Sequence, residues 1–284
     1  MSQLLEFQEC FRKATQIVAL VGAGLSASSG LPTFRGSQGL WKNFNMIDLA
    51  TPDAFYIDPG LVWQFYSWRR HQALRAQPNS GHMALAKLSH NPEKDFITIT
   101  QNVDGLLTRA GHAKDNLHEI HGSLFELRCT SFTCTYFERN NFKDPLTNAL
   151  RVDDDPFVSD VDELEQPSFA APKALSLADL PKCPVCETLM RPGVVWFGES
   201  LSLRTLDDID IFLQAGPVDL ILVIGTSGTV YPANSYVDMV RSRGGAVAIF
   251  NTDIEPEILE GRVANTWGFL GDAAEWLPKA LNMD

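Results

Sequence analysis

Short apolar runs of strand length recur along the chain at residues 17–21, 96–100, 220–225 and 246–250, with helical or loop-like stretches between them. Runs that are apolar at successive positions, rather than alternating, predict strands buried on both faces, as in a parallel sheet covered by helices. The expected fold class is α/β: a doubly wound, Rossmann-like parallel sheet with its ligand at the carboxyl ends of the strands. Leu4, Phe7 and Phe11 stand at helical spacing and predict a first helix packed on that sheet. Two stretches interrupt the rhythm. Residues 44–91 carry Trp63, Phe65, Tyr66, Trp68 and Leu74 without a strand signal and read as a helical insertion. Residues 127–193 carry four cysteines and the acidic stretch 153–172, which has little to bury and is expected to be a solvated or partly disordered loop. The expected large domain is therefore 1–43, 92–126 and 194–284, with 44–91 and 127–193 forming a smaller zinc-binding and helical module.

Composition then narrows the classes. With 284 residues, 45% hydrophobic and 20% charged, the chain can bury a full core. A net charge of −12 and an isoelectric point near 4.9 argue against the basic face that nucleic acid requires, and favour basic partners. No apolar run approaches the roughly 20 residues of a membrane helix. Residues 1–15 include Glu6 and Glu9 and lack an Arg-rich, acid-poor character. The expected compartment is the cytosol or nucleus, with mitochondrial import through an atypical signal as the alternative. Five cysteines in a chain of this size do not suggest a secreted disulfide scaffold.

Four of those cysteines form two close pairs, Cys129 with Cys134 and Cys183 with Cys186. Two such pairs across a long insert can supply four thiolates to one tetrahedral zinc. The second pair has the common two-residue spacing; the first, with four intervening residues, is looser. No histidine stands beside either pair, and four thiolates close the coordination shell, so the expected zinc is structural. Cys10 reads as a small core residue.

Gly22, Ala23 and Gly24 follow the first strand, where a backbone must turn tightly under a diphosphate. Gly22-x-Gly24-x-x-Ala27 would also suit a dinucleotide-dependent dehydrogenase. That fold then needs a helix, a second strand and an acidic residue about 20 positions on. Pro32 to Gly39 reads instead as a loop, and Asp48 is not a convincing ribose ligand. A long ordered loop carrying Phe34 and Arg35 could cover a glycosidic bond and exclude water.

The Gly loop continued through Pro32-Thr33-Phe34-Arg35-Gly36, the turn Gln101-Asn102-Val103-Asp104, and His121-Gly122 after a further strand together resemble the sirtuins, the NAD-dependent protein lysine deacylases. The resemblance covers nearly the whole chain. It implies that His121 is the catalytic base, accepting a ribose hydroxyl proton, with Asn102 beside it; His118 lacks a matching motif. It places Gly22, Ala23, Gly24, Phe34, Arg35, Gln101, Asn102, Asp104, Gly225, Thr226, Ser227 and Asn251 around NAD, with Asp104 accepting from the nicotinamide carboxamide and Asn251 holding the adenosine ribose. Val194 to Glu199 resembles the segment that takes the substrate peptide as an added strand, through Val194, Phe197, Gly198 and Glu199.

Tyr66 and Arg69, three apart on a helix, project together and match the Tyr-x-x-Arg pair of the desuccinylase-type, class III sirtuins. A guanidinium can hold a carboxylate through two parallel hydrogen bonds. Ala50 leaves room for the longer acyl group, and Arg70 is expected to be the solvated neighbour. The implied reaction is attack of the acyl-lysine amide oxygen on the nicotinamide ribose, loss of nicotinamide, His121-assisted attack of a ribose hydroxyl on the resulting imidate, and completion by water to give free lysine and O-acyl-ADP-ribose. The expected partners are acyl-lysine proteins or peptides, with no nucleic acid, no membrane and a monomeric state. The alternatives are an acetyl-preferring or ADP-ribosylating sirtuin and a non-catalytic NAD-sensing module.

Overall fold

The computed structural model describes residues 3–33, 40–152, 171–226 and 233–283. The chain opens with α1 (Gln3–Lys13), β1 (Gln16–Val21), α2 (Gly24–Ala27) and the two-residue strands β2 (Leu40–Trp41) and β3 (Phe44–Asn45). Helices α3 (Met46–Leu49), α4 (Pro52–Ile57), α5 (Pro59–Arg75) and α6 (Ser80–Ser89) follow, then β4 (Asp95–Thr100), α7 (Leu106–Arg109), β5 (Leu117–Glu119), β6 (Gly122–Cys129) and β7 (Phe137–Glu138). The last part comprises β8 (Met190–Val194), α8 (Leu203–Ala215), β9 (Leu220–Ile224), α9 (Ala233–Ser242), β10 (Ala246–Asn251), α10 (Pro256–Leu259), β11 (Thr266–Leu270) and α11 (Ala273–Ala280).

The chain divides into two compact units, 1–33 with 76–121 and 201–284, and 34–75 with 122–200. The first is built on a six-stranded parallel sheet in the order β11-β10-β9-β1-β4-β5. Strands β1 and β9, neighbours in space and far apart in sequence, mark the point where the winding reverses, which in open α/β sheets is where ligands bind. One face of the sheet packs Phe7 and Phe11 of α1 with Leu85, Leu88 and Leu277. The other packs Ile209 and Leu213 of α8 with Tyr236 and Val240 of α9. The doubly wound architecture expected from the apolar runs is present. The edge strand β11 was not expected, because Thr266-Trp267-Gly268-Phe269-Leu270 is half-exposed and carries no continuous apolar run.

The second unit joins an antiparallel sheet, β7-β6-β8, to the helices α3, α4 and α5. Gly122 and Gly193 let β6 and β8 approach: a Cβ on Gly122 would lie 2.2 Å from the Gly193 carbonyl oxygen, and Gly122 itself has φ +75°. Helix α5 is buried nearly all round, with Val62, Trp63, Phe65, Tyr66, Ser67, Arg70 and Ala73 inside. The indole N–H of Trp63 donates to the Met190 carbonyl of β8 at 3.0 Å.

Two expectations change. The divisions fall at 33/34, 75/76, 121/122 and 200/201. Helix α6 thereby joins the sheet unit through Leu85 and Leu88, while residues 122–126 and 194–200 go with the second unit because β6 and β8 pair with each other. Arg70 is not solvated but 1% exposed. Its guanidinium donates to the carbonyls of Leu124, Asn141 and Lys143 and to Oδ1 of Asn141, bonds that only the folded neighbourhood of α5 supplies. Of the acidic stretch 153–172, residues 153–170 lie outside the described residues.

Candidate functional site

At the carboxyl ends of β1, β4, β9 and β10 the loops of the first unit are tied together. Gly22 and Gly24 run against Gly225 and Thr226: a Cβ on Gly24 would lie 2.6 Å from the Gly225 Cα, and one on Gly22 would lie 2.7 Å from the Gly225 oxygen. Gly225 takes φ +57°, a left-handed conformation natural to glycine. The side chain of Thr226 donates to Oε1 of Gln101 at 3.1 Å, and Asn251 donates through Nδ2 to the Thr226 carbonyl at 2.9 Å. Bare backbone at the reversal point, ringed by amides and hydroxyls, fits a dinucleotide pyrophosphate. Phe34, Arg35 and Ser227 lie outside the described residues.

Asn102 donates through Nδ2 to the Gly22 carbonyl at 3.0 Å and to Oγ of Ser26 at 3.2 Å. Ser26 passes its own hydrogen to Oδ2 of Asp104 at 2.7 Å, and the second Asp104 oxygen accepts from the Leu106 N–H. Nε2 of His82 stands 3.3 Å from the same serine oxygen. Because Nδ1 of His82 accepts the Asn79 N–H, its ring proton sits on Nε2 and points at Ser26. Burial holds the His82 pKa down at about 4 despite the Asp104 charge, so the ring is neutral at physiological pH. The sequence reading included Asn102 and Asp104 but missed Ser26 and His82. Asn79-x-x-His82 carries the spacing of a helix capping box, which signals the start of α6 and nothing of the serine 56 residues away.

His121 follows β5. Its Nδ1 lies 3.0 Å from the Gln101 carbonyl, which can only accept, so Nδ1 carries the proton and Nε2 keeps its lone pair. Burial lowers its pKa below the ordinary histidine value, the Gln101 carbonyl opposing in part. A neutral imidazole with a lone pair on Nε2 can accept a proton.

In the second unit Tyr66 is fully buried and the half-buried Arg69 holds its guanidinium over the phenol ring, 5.7 Å from the centroid. The same guanidinium lies 5.7 Å from the Phe65 centroid. The segment after β8 turns back on itself: Phe197, half-exposed, donates its N–H to the carbonyl of the buried Ala50 at 2.9 Å, and Gly198 takes φ +88°. Val194 is buried and paired with Gly122. The Glu199 carboxylate is held by both terminal nitrogens of Arg191 and accepts the Trp196 N–H at 2.8 Å, which keeps its pKa low and gives the side chain the task of holding the turn.

The four thiols of Cys129, Cys134, Cys183 and Cys186 lie within 4.8 Å of one another, with Cys129 to Cys186 at 3.4 Å and Cys134 to Cys183 at 3.8 Å. None is in a disulfide. Zinc–sulfur bonds of about 2.3 Å in a tetrahedron require sulfur–sulfur edges of about 3.8 Å, so the quartet fits a closed structural zinc.

The sequence pattern of the Sir2 family matches residues 22–232, and the chain belongs to that family. It is 66% identical over 296 residues to an NAD-dependent protein deacylase of Candida albicans, covering 98% of this chain and 97% of the relative. It is 40% identical over 287 residues to the mitochondrial NAD-dependent protein deacylase sirtuin-5 of Canis lupus familiaris, covering 99% and 85%. Among solved structures, a Sir2 homolog–NAD complex superimposes with a TM-score of 0.75 at 36% identity over 98% of this chain and 92% of that one. A complex of Sir2 with a p53 peptide and NAD+ gives 0.73 at 27% identity over 99% and 98%.

Proposed function

We propose that this NAD-dependent protein deacylase removes acidic acyl groups, succinyl, malonyl or glutaryl, from lysine. The observation that carries the reading is the Tyr66–Arg69 pair: a fully buried phenol with a guanidinium above its ring, on a helix closed in on nearly every side. A cation on such a wall lowers affinity for an uncharged acyl end that leaves it unpaired, and favours a carboxylate that accepts two of its hydrogens. Ala50, small and buried, leaves space for the longer chain. The likeness to sirtuin-5 supports the same reading.

In this reading bound NAD would supply the ribose carbon that the acyl oxygen attacks as nicotinamide leaves, and water would complete the transfer to release free lysine and O-acyl-ADP-ribose. Gly22, Ala23, Gly24, Gly225 and Thr226 hold the pyrophosphate side, and the family resemblance adds Phe34, Arg35 and Ser227 to the NAD-binding set. Asn251 faces the adenosine ribose; Gln101, Asn102 and Asp104 orient the nicotinamide end. His121 Nε2 takes the ribose hydroxyl proton. Val194, Phe197 and Gly198 present backbone to the peptide, on a turn braced by Glu199. Cys129, Cys134, Cys183 and Cys186 hold the zinc.

Purified protein, NAD and one peptide carrying succinyl-, malonyl-, glutaryl- or acetyl-lysine test the reading through release of nicotinamide and deacylated peptide. The expected result is a higher kcat/KM for at least one acidic acyl group than for acetyl. Acetyl preference would assign the enzyme to the acetyl branch, label transfer from NAD to protein to the ADP-ribosylating one, and NAD binding without turnover to a sensing module. The mitochondrial sirtuin-5 relative supports the mitochondrial alternative over cytosol or nucleus for this chain, and cell fractionation decides between them.

A further inference from the structure

The indole N–H of Trp196 donates to the hydroxyl oxygen of Tyr66 at 2.9 Å, with both side chains in the interior at 3% and 0% exposure. The Arg69 guanidinium stands over the same phenol, 5.7 Å from its ring centroid, and its charge acts on the hydroxyl. A phenol oxygen has two lone pairs and one hydrogen. With Trp196 donating into it and the Arg69 cation beside it, the oxygen is disfavoured as an acceptor for a further group, and what it offers is its own O–H. Among the described residues no acceptor takes that hydrogen. Burial raises the Tyr66 pKa, so the O–H is retained at physiological pH.

Trp196 is itself immobilised. The Arg191 guanidinium lies 3.6 Å from its ring centroid, Phe55 packs on it at 5.2 Å, and its backbone N–H is held by the Glu199 carboxylate. An arginine gripped by a carboxylate and stacked on an indole is a rigid backstop, because the planar guanidinium serves both contacts at once.

We propose that Trp196 is a specificity-positioning residue: it holds Tyr66 in the donor-only state, so that Tyr66 and Arg69 present hydrogens alone to the distal end of the acyl group. The inference rests on the acidic-acyl reading and deepens it. A donor-only wall takes a carboxylate, which only accepts, and penalises an end that brings hydrogens of its own. Succinamyl-lysine, in which the terminal carboxylate becomes a carboxamide, is of the same length and presents an NH2 group to the wall. Charge alone already disfavours it against Arg69; Trp196 adds the part of the discrimination that belongs to Tyr66.

The test compares succinyl-, succinamyl- and acetyl-lysine peptides on wild type, Trp196→Phe, Tyr66→Phe and the double variant. Trp196→Phe is expected to raise KM for succinyl-lysine roughly 2- to 10-fold, the range of one net neutral hydrogen bond, with a much smaller change in kcat. The succinyl-to-succinamyl ratio should fall by a similar factor and acetyl-lysine kinetics should change far less. The double variant should match Tyr66→Phe alone, because Trp196 acts through that hydroxyl. If Trp196→Phe is too unstable to assay, benzothienylalanine at position 196 replaces the N–H by sulfur in the same ring shape and isolates the hydrogen bond. Additive losses in the double variant, equal losses on all three acyl groups, or an unchanged succinyl-to-succinamyl ratio would overturn the proposal. In each of those cases a wild-type enzyme that still prefers succinyl-lysine leaves the acidic-acyl reading standing, whereas a wild type that prefers acetyl-lysine removes both.

Discussion

Nδ1 of His121 lies 3.0 Å from the carbonyl oxygen of Gln101, the residue that also binds Thr226 through its side chain. One peptide unit thereby sets the histidine tautomer while its side chain braces the loop after β9. Replacing His121 with alanine removes a proton acceptor and little packing. Deacylation is expected to fall about 10²–10⁴-fold with NAD binding retained. Because burial lowers the His121 pKa, the neutral ring persists as pH falls past the ordinary value of 6.5. The acid limb of the kcat/KM profile should therefore lie below that value, and a limb above it would remove His121 from the role of base.

Stability should also decline in mild acid. His82 and His112 are both buried, and burial pushes each pKa from 6.5 to about 4. The unfolded chain binds these protons first, so protonation favours unfolding. Stability is full above about pH 6.5 and declines as pH falls toward about 4, by on the order of a few kcal/mol for each ring. Denaturant midpoints across this window check the sign; a midpoint that rises on acidification would contradict it.

Zinc is expected at one ion per chain, required for folding and not for chemistry, since four thiolates leave no position open. Cys183 is the buried member, so Cys183→Ser should lose the metal and lower Tm. Elemental analysis of protein purified without chelator provides the readout.

Arg69→Met should raise KM for succinyl-lysine on the order of 10- to 100-fold, the equivalent of roughly 1.5–3 kcal/mol for charge-assisted hydrogen bonds. Acetyl-lysine turnover should be affected far less. Tyr66→Phe should act in the same direction more weakly, as it deletes one neutral hydroxyl. Equal losses on both acyl groups would make the pair structural.

Gly24→Ala should weaken NAD binding and lower stability together. The added Cβ would stand 2.6 Å from the Gly225 Cα and 2.9 Å from its carbonyl oxygen, both backbone atoms. Overpacking of this kind typically costs about 1–3 kcal/mol. Calorimetric titration with NAD and a thermal melt of the same sample measure both effects.

Local pattern carried much of this protein in its sequence. Continuous apolar runs marked β1, β4, β9 and β10 because strands buried on both faces need nothing else to be recognised. The cysteine pairs marked a metal-binding quartet because chelation demands fixed spacing. Partners distant in sequence were another matter. Helix α5 has no polar face for periodicity to report, so Arg70 read as solvated and the surroundings of Tyr66 were invisible. Ser26, His82 and Asp104 meet across 56 and 78 residues, and Trp196 reaches Tyr66 across 130. The tertiary structure alone decided these contacts: burial and hydrogen-bond satisfaction depend on what folds against a side chain, and nothing local encodes it.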